Sequence, residues 1–200
     1  MPQAFRTLKY RVRNLVIVRF LIAITGSSGA VYGVRLLRAL RGEKLLIMSG
    51  TALKIIEHEL HMKPEEVAVF ADKCFDDEDL FAPPSSGSYR YDAMVIVPCS
   101  ESTLAKVANG IADTLITRAA AVCLKEGRKL ILVPRETPLS AVMLENELRL
   151  ARMGVTILPA NPGFYSRPES VEDLVDFVVG KVLDQLEQEH DLFQRWGKGA

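Results

Sequence analysis

The stretch RFLIAITGSSGAVYGVRLLRALR, residues 19–41, decides the fold. The apolar run at residues 20–24 predicts a buried strand, and Val31, Val34, Leu37 and Leu40 follow at helical spacing. Glycine and serine residues join the two patterns without a long connection. A strand that passes through such a loop directly into a helix predicts an α/β fold.

The loop TGSSGA, residues 25–30, can be interpreted in two ways. Glycine lets the backbone approach a ligand closely, and the N–H groups that open the helix favour an anion or a polar ring edge. A tight turn with no ligand explains the same residues equally well, because a single glycine-rich loop is weak evidence.

Two absences argue against a nicotinamide dinucleotide enzyme. The first loop does not have the GxGxxG spacing. The next predicted strand, residues 44–48, ends at Ser49, where such folds usually present an acid to the ribose.

Composition narrows the function classes. The chain has 200 residues, 48% of them hydrophobic, and a formal net charge of zero, which predicts a globular protein and argues against nucleic-acid binding through a basic face. No apolar run is long enough to span a membrane. Cys74, Cys99 and Cys123 show no CxxC spacing, so we expect no disulfide framework and a cytoplasmic location.

The amino terminus is basic and has no acidic residue before Glu43. Arg19 interrupts the apolar run LVIVRFLIAI, which argues against a signal peptide. A mitochondrial presequence stays open on charge, although serine is missing from residues 1–18. We predict a short basic extension at residues 1–18 ahead of a single domain at residues 19–200.

Three local patterns carry smaller predictions. His58-Glu59-Leu60-His61 resembles a zinc motif, but Met62 occupies the position of the second ligand, so no metal site is expected. The acidic residues 72–79 predict a loop. A helix over residues 140–153 is predicted to turn Leu144, Leu148 and Ala151 inward.

A second strand–loop–helix unit follows at residues 93–104. Its loop, PCSEST at residues 98–103, offers Ser100, Ser102 and Thr103 as hydroxyl and amide donors for a phosphate at a helix N-terminus. Helix capping explains one hydroxyl well and three less well.

Cationic side chains lie on the apolar face of one predicted helix and at the end of one predicted strand. Arg118 and Lys125 share a predicted helix face with Leu115 and Val122. Arg135, with its neighbour Glu136, follows the predicted strand at residues 129–133, where α/β folds bind ligands.

The last predicted helix begins at Ser170, with Asp173 completing an approximate capping box. Lys181 continues the apolar spacing of Leu174 and Val178. This position indicates a buried anion partner, a subunit contact, or a lysine whose ammonium reaches solvent along an apolar surface.

Five motifs occur in order over residues 20–196: TGSSGA (25–30), APPSSGS (82–88), PCSEST (98–103), LVPRE (132–136) and NPGFY (161–165). This set resembles the UbiX-type flavin prenyltransferases. The resemblance implies a three-layer parallel sheet of Rossmann-like or flavodoxin-like type, assembled from trimers into a dodecamer.

The resemblance also implies the reaction. FMN would be bound as a substrate and receive a dimethylallyl group from dimethylallyl monophosphate. The prenylated FMN would serve a UbiD-type decarboxylase, in ubiquinone biosynthesis or in aromatic-acid metabolism. Because a monophosphate carries less charge than a diphosphate, a cluster of cationic side chains could replace the usual Mg²⁺.

Site residues follow by position from the resemblance. The FMN contacts would be Gly26, Ser27, Ser28, Ser49, Ser86, Ser100, Glu101, Ser102, Thr103 and Arg135. The catalytic group would be Ser28, Glu59, Arg118, Lys125 and Glu136, with either Glu59 or the leaving phosphate moving the proton released by the flavin. Tyr165 and Lys181 would bind the prenyl phosphate.

The chain departs from the family pattern twice. Many members have a tryptophan where Leu80 or Phe81 stands, which would shield an allylic cation. The phosphate ligand of the last helix is often arginine, whereas Lys181 lacks the bidentate fork.

Two other functions compete. An FMN-dependent cysteine decarboxylase would use an active-site histidine and an Asn-containing loop, where this chain has only His58 nearby and the loop PCSEST. A non-catalytic flavin-binding protein would bind FMN without turnover and would leave Glu59 and Lys125 unexplained.

Overall fold

The computed structural model describes residues 18–197. Apart from Val18, the predicted basic extension lies outside this range, so that boundary stays a prediction. One six-stranded parallel sheet has the order β3-β2-β1-β4-β5-β6. The strands are β1 Arg19–Ile24, β2 Glu43–Met48, β3 Lys73–Asp76, β4 Ala93–Cys99, β5 Lys129–Pro134 and β6 Thr156–Ile157. The helices are α1 Ala30–Ala39, α2 Gly50–Leu60, α3 Pro64–Ala68, α4 Glu101–Ala108, α5 Leu115–Lys125, α6 Ala141–Arg152 and α7 Val171–Gln185.

Helices cover both faces of the sheet, which confirms the predicted three-layer α/β fold. Alternate residues of β1 point to opposite faces, as the two-residue period of a strand requires. Ile22 and Ile24 pack with residues of α1, α2, α3 and α7, whereas Leu21 and Ala23 pack with residues of α4, α5 and α6. The continuous apolar run of β1 is therefore buried on both sides.

Gly33 sets how closely α1 lies on the sheet. A Cβ atom at this position would lie 2.5 Å from the Val97 carbonyl oxygen and 2.9 Å from Ile24 Cδ1. Only a residue without a side chain allows this approach of helix to strand. The position holds α1 against the ends of β1 and β4.

The prediction of a loop over residues 72–79 was wrong. Residues Lys73–Asp76 form β3, which pairs in parallel with β2 at the sheet edge. Of its four residues only Phe75 is partly buried. Charged and exposed side chains are common on edge strands, where they discourage pairing with another chain, and they concealed the strand in the sequence.

The helix predicted over residues 140–153 is confirmed as α6, but its predicted inward face was wrong. Leu144 and Leu148 are each 50% exposed, and Ala151 is also exposed. Met143 and Leu150 are the buried residues instead. The sequence carries two apolar stripes at helical spacing, and packing against α4 buries the other one. We call Leu144, Leu148 and Ala151 the α6 outer stripe.

The capping box predicted at the last helix is confirmed. The Ser170 hydroxyl accepts a hydrogen bond from the Asp173 N–H at 3.1 Å, and Asp173 accepts one from the Ser170 N–H at 3.0 Å. These bonds satisfy two N–H groups that would otherwise lack partners at the helix start.

Candidate active site

The sheet places the predicted loops at a topological switch point. From β1 the chain continues to β2 on one side, whereas β4 adjoins β1 on the other. Parallel sheets bind ligands in the crevice outside the carboxyl ends of such strands. We call the residues that meet at these strand ends the switch-point cluster. It comprises the predicted flavin and catalytic residues found there, Glu59 near the end of α2, and Gly29 and Ala30, to which Glu59 bonds. Its members are Gly26, Ser27, Ser28, Gly29, Ala30, Ser49, Glu59, Ser100, Glu101, Ser102, Thr103, Arg135 and Glu136.

Thr25 ties the two loops of this cluster together. Its hydroxyl donates to the Pro98 carbonyl oxygen and accepts from the Ser100 N–H, both at 2.8 Å. The side chain is 1% exposed, so its hydroxyl needs both partners inside the protein. Sequence reasoning missed this role, although a threonine directly after a buried strand could have indicated it.

Glu59 occupies the N-terminus of α1. Its Oε2 atom accepts from the Gly29 N–H at 2.8 Å and from the Ala30 N–H at 3.1 Å. The anion that this helix start favours is therefore supplied by the chain itself. The Gly29 and Ala30 N–H groups are not free for a ligand, which was one of the two alternatives that the sequence left open. The glycine is required here, because Gly29 has φ 104°.

Contacts around Glu59 decide its ionisation. Partial burial opposes the charged form, but hydrogen bonds from Ser28, Gly29 and Ala30 and the charge of Arg135 outweigh it, and the pKa lies below its ordinary value. Glu59 is consequently a carboxylate at neutral pH and a weak base.

Arg135 joins the end of β5 to the first loop. Its Nε atom donates to the Ser28 carbonyl oxygen at 2.8 Å, and the Ser27 hydroxyl donates to the Arg135 carbonyl oxygen at 2.7 Å. Tyr32 lies beside them, and its ring is 3.0 Å from the position of a Cβ atom at Gly29. Burial raises the pKa of Tyr32, and the Arg135 charge partly offsets that effect. Tyr32 had no role in the sequence interpretation.

Serine side chains cap the two other helices at this edge. Ser49 accepts from the Ala52 N–H at 3.2 Å, and Ser100 accepts from the Thr103 N–H at 3.3 Å. The Ser100 hydroxyl also lies 3.0 Å from the Thr103 hydroxyl. Capping thus accounts for Ser49, Ser100 and Thr103, whereas Ser102 is exposed in the first turn of α4. This turn suits a phosphate better than the start of α1 does.

Two acidic residues complete the cluster. Glu101 opens α4 and is partly buried. Glu136 is exposed, and its Oε1 atom accepts from the Thr137 N–H at 3.0 Å.

Three predicted residues lie elsewhere, and we call them the α5 group: Ser86, Arg118 and Lys125. Arg118 and Lys125 lie on α5, and Ser86 directly follows the neighbouring 3₁₀ turn Pro83–Ser85. The Arg118 Nε atom donates to the Ser85 carbonyl oxygen at 3.0 Å. Lys125 forms an ion pair with Glu126 at 3.4 Å, and Ser86 lies 2.9 Å from the Ser88 hydroxyl. Both cations are exposed at the border of the buried apolar face of α5.

Tyr165 and Lys181 belong to a third group, at the end of the chain. The Tyr165 ring meets the Phe177 ring edge-on at 5.6 Å and the Trp196 ring at 5.4 Å. Lys181 Nζ lies 3.5 Å from Asp184, which also pairs with Arg195 at 2.7 Å. Of the settings considered for Lys181, the structure gives a half-exposed ammonium with a partly buried anion partner. We call these residues, with His190 and Phe193, the C-terminal cluster.

No hydrogen bond or ion pair within residues 18–197 joins any two of these three groups. In this range the side chain of Arg118 bonds to Ser85, that of Lys125 pairs with Glu126, and that of Lys181 pairs with Asp184. None of the three cations bonds to Glu59 or Arg135. In the same range, no group of three or more His, Cys, Asp or Glu side chains could hold a metal ion.

Comparison with known proteins identifies the family. A family model described as Flavoprotein matches residues 9–183. The flavin prenyltransferase UbiX of Methanothermobacter thermautotrophicus is 53% identical over 184 residues, which are 90% of this chain and 96% of that protein. The chain belongs to the UbiX family of flavin prenyltransferases. The corresponding protein of Thermoplasma acidophilum is 49% identical over 180 residues, 90% of this chain and all of that protein.

Solved structures agree with the UbiX assignment. AnUbiX (PadA1), crystallised with FMN and dimethylallyl pyrophosphate, is 43% identical with a TM-score of 0.90, and the match covers 92% of this chain and 100% of that one. A dodecameric FMN-dependent UbiX-like decarboxylase from Escherichia coli O157:H7 is 48% identical with a TM-score of 0.88, covering 90% and 99%. The protein is thus a flavin prenyltransferase, and the predicted enzyme class and flavin ligand are confirmed.

The cysteine decarboxylases share only the fold with this UbiX-family chain. The FMN-dependent enzyme TvaF from thioviridamide biosynthesis is 20% identical with a TM-score of 0.59, covering 70% of this chain and 88% of that one. His58, the histidine considered for such chemistry, is exposed on α2.

Both departures from the UbiX pattern lie at the surface of the chain. Phe81 is 99% exposed and Leu80 43% exposed, so neither forms an aromatic wall within its own chain. Lys181 keeps a positive charge next to Asp184.

Within residues 18–197 of this UbiX-family protein, no helix is both long enough and apolar enough to cross a membrane.

Proposed function

We propose that the protein transfers the dimethylallyl group of dimethylallyl monophosphate to reduced FMN and releases inorganic phosphate. The observation that carries this proposal is the convergence of three strand-end loops. The Ser27 hydroxyl donates to the Arg135 carbonyl oxygen at 2.7 Å, and Arg135 Nε donates to the Ser28 carbonyl oxygen at 2.8 Å. The Ser100 N–H, at the start of α4, donates to the Thr25 hydroxyl at 2.8 Å. Hydroxyl, amide and guanidinium donors there suit the phosphate and ring edges of FMN. The flavin supplies the nucleophilic ring that accepts the five-carbon unit.

The chain's own cations would stabilise the leaving phosphate. When the allylic C–O bond breaks, its electron pair stays with the phosphate oxygen. Lys125, Arg118 and Lys181 are exposed or half-exposed cations that can meet the growing charge. Preorganised cations of this kind are worth several kcal/mol in a site from which water is excluded, roughly 3–4 kcal/mol for a single strong donor. We therefore propose transfer without a metal ion.

The geometry favours the leaving phosphate over Glu59 as the acceptor of the flavin proton. The pKa of Glu59 is lowered by its donors and by Arg135, after the opposing effect of burial. A phosphate dianion, whose conjugate acid has a pKa of about 6, is the better base. Glu59 would then orient Ser28 and the start of α1, with Ser28 facing the flavin.

We propose that the complete site forms between subunits. Tyr165 and Lys181 bind the prenyl phosphate, and the α5 group reaches the same phosphate from another copy of the chain. Two facts support this: no hydrogen bond or ion pair joins the three groups within residues 18–197, and the E. coli relative is dodecameric. Exposed apolar side chains of the α6 outer stripe suit a subunit contact. We propose a dodecamer.

We further propose that the product passes to a UbiD-type decarboxylase and that the reaction takes place in the cytoplasm. All three cysteines of the chain are free in the structure, which agrees with a reducing compartment.

Mass spectrometry of the flavin tests the reaction. Reduced FMN and dimethylallyl monophosphate, incubated with the enzyme in excess chelator, should give a flavin heavier by one five-carbon unit together with inorganic phosphate. A parallel reaction with dimethylallyl pyrophosphate asks whether the donor in the AnUbiX crystal is also turned over. A strict Mg²⁺ requirement would contradict the metal-free mechanism, and tight FMN binding without turnover would indicate a flavin carrier.

A further inference from the structure

The end of the chain is seated tightly on α7. A Cβ atom at Gly180 would lie 2.5 Å from Phe193 Cε1 and 2.7 Å from His190 Cε1. The Phe193 ring also packs against Phe177 with centroids 4.9 Å apart. These contacts fix residues 190–196 beside the helix that carries Lys181 and Asp184.

One carboxylate receives three donors from this arrangement. Arg195 donates from Nη2 to Asp184 Oδ1 at 2.7 Å and from Nη1 to Oδ2 at 3.2 Å. His190 Nδ1 accepts from the Leu192 N–H at 3.3 Å, so its Nε2 carries the proton and donates to Asp184 at 3.1 Å. Lys181 makes the longest of these contacts, at 3.5 Å.

Asp184 is ionised and competes with any incoming anion for the Lys181 ammonium. Burial opposes its ionisation, but Arg195 and His190 outweigh burial and hold its pKa below the ordinary value. Lys181 lies three residues before Asp184 on α7, a spacing at which a lysine and a carboxylate meet on the helix surface. Without another partner, the carboxylate would hold this ammonium.

Arg195 is the stronger partner of the carboxylate. Its two nitrogens meet both Asp184 oxygens, which is the two-point geometry that a lysine cannot make. The Lys181 side chain keeps 45% of its surface exposed, so its ammonium remains accessible to an incoming anion.

We propose that Arg195 is a positioning residue for Lys181: by holding Asp184, it leaves the Lys181 ammonium available for the phosphate of the prenyl donor. This inference rests on the proposed function, in which Lys181 binds that phosphate. It adds Arg195, which lies outside α7 and outside the strand-end motifs, to the residues needed for binding of the prenyl donor.

Steady-state kinetics with dimethylallyl monophosphate on the full chain tests the proposal. Arg195→Met keeps the length and apolar stem but removes the donors. It should raise KM for the prenyl phosphate about tenfold, with kcat and FMN affinity within twofold of wild type, because one charged contact is redirected. Arg195→Lys should give a smaller rise. The double variant Asp184→Asn with Arg195→Met should restore KM to within about twofold, since the competing charge is gone.

The rescue decides between positioning and a purely structural role. If the double variant keeps the raised KM, Arg195 acts through packing or contacts the phosphate itself, and the proposal is overturned. Asp184→Asn alone should lower KM, and a rise would show that Asp184 assists Lys181. This single variant also serves if Arg195→Met does not fold.

Lys181→Ala separates this inference from the proposed function. It should raise KM for the prenyl phosphate regardless of residue 195. An unchanged KM would remove Lys181 from the phosphate site and with it the proposed role. A raised KM in Lys181→Ala with no effect of Arg195→Met would overturn the positioning inference alone.

Discussion

The switch-point cluster and the C-terminal cluster are built in different ways. In the first, most contacts end on the main chain: Arg135 donates to the Ser28 carbonyl, and Glu59 accepts from N–H groups of the first loop. In the second, side chains meet side chains: Asp184 has three donors, and four aromatic rings pack in sequence, those of Trp196, Tyr165, Phe177 and Phe193. A pocket made of main chain holds its shape through many substitutions. A cluster of charges changes its behaviour when a single side chain changes.

The largest effect is expected in the α5 group, which belongs to neither cluster. Lys125→Ala should lower kcat by roughly 100- to 1,000-fold, because a donor aimed at charge that develops in the transition state is lost. FMN affinity should stay within twofold. The measurement is rapid-quench turnover beside a flavin titration, with Lys54→Ala, an exposed lysine on α2, as the matched control. Equal kcat in both variants would remove Lys125 from the reaction.

A charge in the first turn of α4 should separate flavin binding from donor binding. Ser102→Asp places a carboxylate at the proposed position of the flavin phosphate, and FMN affinity should fall about a hundredfold, since like charges at such a contact cost several kcal/mol. Ser102→Asn, neutral and similar in shape, should lose less than tenfold. Fluorescence titration of FMN measures both. If the two variants bind FMN equally well, the phosphate does not lie at the start of α4.

A substitution in the α6 outer stripe tests whether the active site requires clusters from more than one chain. Leu148→Asp would bury a charge in the proposed subunit contact at a cost of roughly 2–3 kcal/mol, so the assembly should dissociate at micromolar concentration. Turnover should fall at least about tenfold, because the clusters of different subunits would no longer meet. Val69→Asp, at an apolar residue that is 74% exposed on another part of the surface, is the control. Light scattering with activity measures the result, and an active monomer would contradict a shared site.

The smallest expected effect concerns Glu59 and stability. Glu59→Ala removes the anion at the start of α1 and should lower the free energy of unfolding by about 1 kcal/mol at pH 7. Folding lowers the pKa of Glu59, so its carboxylate stabilises the protein above its ordinary pKa of about 4.3, and this contribution is lost as pH falls through the lower folded pKa. Denaturant titrations at pH 7 and pH 3 should show the two proteins converging. A constant difference at both pH values would assign the effect to packing.

The first cluster could be predicted from sequence and the second largely could not. The apolar run of β1 followed by TGSSGA predicts a strand, a loop and a helix, because the chemistry and the spacing are local. Parallel pairing then brings Arg135 to Ser28, 107 residues apart, since carboxyl ends of parallel strands share one edge. Arg195 carries no such pattern: its partner is chosen by how the chain folds back over Gly180.

The wrong predictions have the same origin. Leu144 and Leu148 satisfy the helical period as well as Met143 and Leu150 do, and only the packing of α6 on α4 decides between the stripes. The strand β3 lacks the alternation of apolar and polar residues because exposed, charged residues are favoured on an edge strand. At the start of α1 the sequence left a ligand-binding loop and a tight turn equally open, and the anion found there is Glu59 of the same chain.

Gly33 has a consequence for anyone who searches this chain by random mutagenesis. It lies one turn into α1 and bears no polar group, yet a methyl there would press on the Val97 carbonyl, directly before the Pro98 that holds Thr25. Relief of that clash would spread the two loops that are proposed to bind the flavin. In a screen that detects bound flavin by its yellow colour, substitutions of Gly33 and of Ser102 would therefore give the same loss of colour. Only a thermal melt in the absence of flavin would tell the two kinds of lesion apart.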